Sequence, residues 1–251
     1  MFRRIITAAM LLAASSAVAD AKLEYVDEQT GEVSTTIYIK GDRMRLDDTA
    51  GGGYTLFDGA KQEILFVDDK ERTITRMDEA AMEEVATEVS SAMAELKREL
   101  EKMPPEQREM MERMMGGVKD MGKSMFEVKV ERSGKRMNKG GYSCEHVVYS
   151  VGRVASTEMC VVEEGKLSLS RQDRATMQAM NRQMQQFAEK MSQGIGMDFS
   201  FDPSVLGGFP VWMKDSDSEH GEVLRHDAKA SIDASLFTVP KDYREEKLGG
   251  N

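Results

Sequence analysis

The chain alternates between two hydrophobic periods. Over residues 22–77 apolar and polar side chains trade places every second position: Val33, Thr35, Ile37 and Ile39 against Ser34, Thr36, Tyr38 and Lys40, then Met44 and Leu46 against Arg43, Arg45 and Asp47. A period of two sends one set of side chains to each face of a strand. Turn residues interrupt at short intervals, at Thr30-Gly31, Gly41-Asp42, Gly51-Gly52-Gly53, Asp58-Gly59 and Asp68-Asp69-Lys70. Such spacing leaves room only for hairpins and predicts an antiparallel meander. Ile64-Leu65-Phe66-Val67 is apolar at both sets of positions and is expected to be covered on both faces.

Beyond Met77 the period lengthens. Met82, Ala86, Val89, Met93, Leu96, Leu100 and Met103 step by threes and fours and predict one helix, with Asp78 as its N-cap. Pro104-Pro105 ends it and starts a second over 106–115, closed by Gly116-Gly117. Strand periodicity returns at Met125, then in two runs, 142–151 and 156–163, around a turn at Gly152. A third helix is marked by Met177, Met180, Met184, Phe187 and Met191. Strands are expected again at 209–213, 222–230 and 231–239, with Pro240 stopping the last and a frayed tail after Tyr243. The pattern is that of one α+β domain over 20–251, with helical insertions at about 78–116 and 170–193 whose apolar stripes need a sheet face to cover.

The first residues stand apart from this pattern. Met1-Phe2-Arg3-Arg4, an apolar run over 5–14 and Ala17-Val18-Ala19 have the form of a secretory signal peptide, cleaved after Ala19 or after Ala21. The run is too short to span a bilayer, and no later segment has spanning length. No cysteine stands at the cleavage point, so the expected product is a periplasmic protein without a lipid anchor or integral membrane segment. The full chain's net charge of −10 argues against a nucleic-acid partner.

Export gives meaning to the two cysteines. If the hairpin is symmetric about Gly152, Cys144 and Cys160 face each other across it, and in an oxidising compartment they are expected to form a structural disulfide. The alternative is a redox or metal-binding thiol pair joined by His146, although no C-x-x-C supports it.

Three segments then carry a resemblance: 36–46, where one strand turns into another with alternating basic residues; Phe57-Asp58-Gly59 with Gln62-Glu63-Ile64; and the closing 236–243. In these the chain resembles the periplasmic carriers of the LolA/LolB-like superfamily and a related group of uncharacterised secreted bacterial proteins. The resemblance implies a curved antiparallel sheet, an incomplete barrel, with amphipathic methionine-rich helices over its concave face. In the carriers that face receives lipoprotein acyl chains, so a lipid or lipoprotein acyl chain is the partner it implies.

Catalytic signatures are lacking. There is no G-x-S-x-G, no P-loop, and Gly194-Ile195-Gly196 lacks the third glycine of a dinucleotide loop. Asp215, Asp217 and Glu219 begin like a calcium loop, but His220 and His226 stand where glycine and glutamate are required. A non-enzymatic protein without a cofactor is expected.

Composition sharpens the remaining question, because methionine supplies 21 residues, about a fifth of the apolar total. Ten fall between Met77 and Met125 and five between Met177 and Met197. Three readings stay open. Met82, Val89, Met93, Leu96, Met177, Met180, Met184, Phe187 and Met191 could face an apolar ligand, since unbranched thioethers adapt to varied shapes. Met110, Met111, Met114 and Met115 lie on adjoining parts of one short helix and could offer soft ligands to Cu(I). Alternatively the methionines only fill an irregular helix–sheet interface in a structural envelope protein.

Overall fold

The computed structural model describes residues 20–49, 51–110, 128–151, 155–195 and 203–248. Six strands come first: β1 (Asp20–Asp27), β2 (Val33–Lys40), β3 (Arg43–Asp48), β4 (Gly53–Asp58), β5 (Glu63–Asp68) and β6 (Thr73–Met77). Helix α1 (Glu79–Lys102) follows, then α2, helical over 105–110. Next are β7 (Val128–Lys139), β8 (Tyr142–Val151), β9 (Ala155–Val162), α3 (Arg171–Ile195), β10 (Phe209–Asp215), β11 (Glu222–Ala230) and β12 (Arg244–Glu246). The α+β expectation and the first meander therefore hold. Met125 lies outside the described residues, as do 111–115 of the expected second helix.

All twelve strands join one open sheet in the order β12-β6-β5-β4-β3-β2-β1-β11-β10-β9-β8-β7. It consists of two meanders set side by side, β1–β6 and β7–β11, joined where β1 pairs with β11. Every pairing is antiparallel except β12 with β6.

The sheet is rolled. Tyr142 at the start of β8 meets Nδ1 of His226 on β11 at 3.0 Å, although β9 and β10 lie between them. In a flat sheet those strands would stand about 14 Å apart. At the same end Lys139 bonds Glu28 at 2.8 Å, beyond the end of β1, and lies 4.4 Å over the Trp212 ring, while Trp212 donates to Glu28 at 2.8 Å. Gly140 permits the closure: its φ is +57°, and a Cβ there would sit 2.7 Å from Cγ2 of Val223.

Inside the half-barrel, the inward set of the first meander forms one continuous core. Ile39 faces Met44, Met44 faces Phe57, Phe57 faces Ile64 and Ile64 faces Met77 across successive ladders. This row joins Leu23, Leu224, Trp212 and the cysteine pair in a single buried cluster.

The cysteines are bridged as expected, but the hairpin register is not the expected one. His146, not Cys144, stands opposite Cys160, so the axis lies one residue later than Gly152 and the bridge runs diagonally. Strand twist brings diagonal neighbours close enough, and the Cα atoms are 5.3 Å apart.

Two expectations for the end of the chain are corrected. Residues 231–239 are not a strand but a strap containing a 3-10 turn, Ala234–Phe237. Local hydrogen bonding wins there: Asp233 caps the turn by accepting from the Ser235 amide, and Arg45 on β3 donates to the Leu236 carbonyl at 2.9 Å. The strap lays Phe237, Val239 and Tyr243 on Tyr54, Leu56, Leu65 and Val67, on the sheet's outer face. This covers the second side of β5 at Leu65 and Val67, whereas Phe66, on the inner face beside Ile64, is 37% exposed and departs from the expected cover on both faces. The tail beyond Tyr243 does not fray at once. Arg244–Glu246 pairs with β6, Glu245 accepts from Arg76 at 2.7 Å, and Leu248 packs on the main core.

Candidate functional site

Helix α3 covers the concave face, and its sequence dictates how. Ser170 and Asp173 form a capping box, each side chain accepting from the other's amide at 2.9–3.0 Å. From there Met177, Met180, Met184 and Phe187 recur at three- and four-residue steps and lie half-buried against the core cluster. The same face carries two polar ties. Thr176 donates to the Gly41 carbonyl at 2.8 Å, and buried Gln183 donates to the carbonyls of Gln62 at 2.7 Å and Met77 at 3.1 Å. The β2–β3 turn, the β4–β5 turn and the end of β6 thus all hold the helix.

Helix α1 behaves differently. Its cap is as expected, with Asp78 accepting from the Ala81 amide at 2.9 Å, but the helix packs mainly on α3 and little on the sheet. Met82 is buried in the core and Val89 is half-buried, whereas Leu96 is 41% exposed. The nine expected ligand-facing residues are therefore not one surface. Met82, Met177, Met180, Met184 and Phe187 meet at the helix–sheet interface, Leu96 points outward, and the side chains of Met93 and Met191 lie outside the described residues.

Cavities flank α3 on both sides. One of about 640 Å³ runs between the helix and the start of β10, lined by Met177, Gln178, Leu206, Phe209 and Pro210. The other, about 570 Å³, opens between α3 and the start of α1, beside Phe57, Met82, Gln183, Glu189 and Lys190. Both volumes fall in the range of small-molecule sites. Arg182 lines both cavities. Leu206, Phe209 and Pro210 carry no sequence signal as site residues, because Gly207-Gly208 and the start of a strand mark only a turn into the sheet.

Charge and chemistry elsewhere are mostly structural. Burial pushes the Tyr25 hydroxyl well above its ordinary value, and its proton goes to the Pro210 carbonyl at 2.8 Å. Burial also pushes the Glu28 carboxyl up, but hydrogen bonds from Lys139 and Trp212 outweigh it and hold the group below its ordinary value. His146 does not serve a thiol; its ring lies between Ser133 at 3.0 Å and Glu158 at 3.3 Å. Among the described residues no cluster of three or more His, Cys, Asp or Glu side chains could hold a metal ion. Of the candidate copper ligands Met110 is 63% exposed, and Met111, Met114 and Met115 lie outside the described residues. No described helix is long and apolar enough to cross a membrane.

Comparison with known proteins adds a family and little else. Residues 57–243 match the model of the family described as Domain of unknown function (DUF4412). No curated protein matches the chain in sequence. Among solved structures, PNGF-II aligns over 92% of this chain at 11% identity with a TM-score of 0.40, and the chain spans only 31% of that protein's length. An uncharacterized conserved protein from Thermus thermophilus aligns over 92% of this chain and 91% of its own at 8% identity, with a TM-score of 0.38. Values this low establish no common fold.

Proposed function

From the premise that the chain belongs to the DUF4412 family, a domain of unknown function, we propose that it is a non-catalytic periplasmic protein that binds or carries an apolar ligand such as an acyl chain. One observation carries the reading: a single amphipathic helix, faced with methionine, covers the concave side of an open sheet and leaves a cavity of about 640 Å³ along its flank. Thioether side chains repack at low cost, so a methionine-faced cover suits a ligand of variable shape. The buried Cys144–Cys160 bridge supports an oxidising compartment, as the N-terminal sequence suggests. An open half-barrel under helices also agrees with a LolA/LolB-like carrier, in which acyl chains would enter beneath α3.

The test is direct titration with an anthroyloxy-labelled stearate, beside native mass spectrometry of protein exported to the periplasm. The reading expects saturable binding, weakened at least tenfold by Met177→Trp, which fills the α3 cavity. No saturable binding together with no co-purifying acyl species would abandon it.

A further inference from the structure

The sheet has two edges, and they are finished differently. One ends in β12, three residues long. The other is β7, with twelve residues the longest strand, and among the described residues it pairs only with β8. Its outer side therefore offers a row of backbone donors and acceptors to another strand.

This edge is basic in an acidic chain. Lys129, Arg132, Lys135, Arg136 and Lys139 stand on β7 against a single acid, Glu131, while the whole chain carries −10. A bulge adds to the concentration of charge. The ladder to β8 shifts between Arg132 and Arg136, where Gly134 takes a φ of +67°. Arg132 then faces Val147 and Arg136 faces Glu145, two positions apart on β8, so both arginines lie on one face of the sheet. Arg132 is engaged, bonding Glu145 at 2.7 Å and the Leu206 carbonyl at 2.6 Å. Arg136 donates only to neutral groups of Ser143, at 3.0 and 3.1 Å.

We propose that β7 receives an extended acidic segment of another protein as an added strand, with its carboxylates meeting the lysine and arginine side chains of β7 itself. Backbone pairing supplies the attachment and the basic side chains supply the selection. The same charges set β7 against β7 of a second copy, so the edge discourages self-pairing while it favours an acidic partner. This inference is independent of the apolar cavity beside α3.

The test uses two fluorescein-labelled decapeptides, one alternating Glu with Thr and one alternating Lys with Thr, titrated into the full-length exported protein at low salt. The acidic peptide is expected to bind at least tenfold tighter than the basic one and to slow hydrogen exchange across 128–139. Lys135→Gln with Arg136→Gln should weaken its binding at least tenfold, with unchanged circular dichroism and an intact disulfide by mass. No binding of the acidic peptide, equal binding of both peptides, or protection that falls outside β7 would overturn the proposal. The wild-type comparison decides the matter even if the double variant folds poorly.

Discussion

Replacing both cysteines with alanine tests the role of the bridge in holding the rolled end of the sheet together. Changing both leaves no free thiol to form other products. The bridge closes a loop with a sequence separation of 16, for which chain-entropy reasoning gives about 3 kcal/mol of stabilisation. Both half-cystines are fully buried in the main core, so the variant also loses packing, and the total should not fall below that figure. Urea denaturation of the wild type and Cys144→Ala/Cys160→Ala supplies the measurement. The variant is expected to lose about 3 kcal/mol and to show a somewhat larger denaturant dependence, because its unfolded chain is no longer cross-linked. A loss under about 1 kcal/mol with an unchanged slope would refute the reasoning, since it would mean that the ladders alone set the curl.

Two further outcomes follow from single side chains. Gln183→Ala leaves the Gln62 and Met77 carbonyls without their donor, a cost of about 1–3 kcal/mol for buried groups. Hydrogen exchange should show α3 loosening ahead of the sheet, and uniform loosening would argue against the tie. Because the Glu28 carboxyl is held below its ordinary value of 4.5, its contribution to stability is present above that pH and is lost as pH falls through the lower folded-state value. Glu28→Gln should therefore be less stable than wild type at neutral pH, with the gap closing in acid; a gap constant with pH would count against it.

Local patterns are legible where one neighbour decides the outcome. The α3 stripe of Met177, Met180, Met184 and Phe187 reads directly, because a helix that packs on a sheet must show its contact face in its period. The α1 stripe is equally regular, yet Leu96 is exposed, because α1 rests mainly on α3 and reaches the sheet core only near its start, at Met82. The cysteine pair emerges from a register that is two residues wrong in its sum; the bridge tolerates a diagonal that strict opposition does not anticipate. At 231–239 the apolar positions have the look of a strand, but they need only reach the outer face, and Asp233 and Arg45 supply the hydrogen bonds a ladder would have made. The pairing of β1 with β11 has no local signature at all.

That pairing bears on the order in which the molecule can assemble. Leu23 pairs with Ile37, a short hairpin away, and on its other side with His226, on the order of two hundred residues later. The first meander can form as soon as its own residues are free to fold, but one flank of its first strand must then wait for nearly the whole remaining chain. Closure over such a separation is slow compared with hairpin formation. Until β11 arrives, the strand destined for the middle of the sheet is an open edge, and this interval is when the folding chain is most exposed to pairing with the wrong partner.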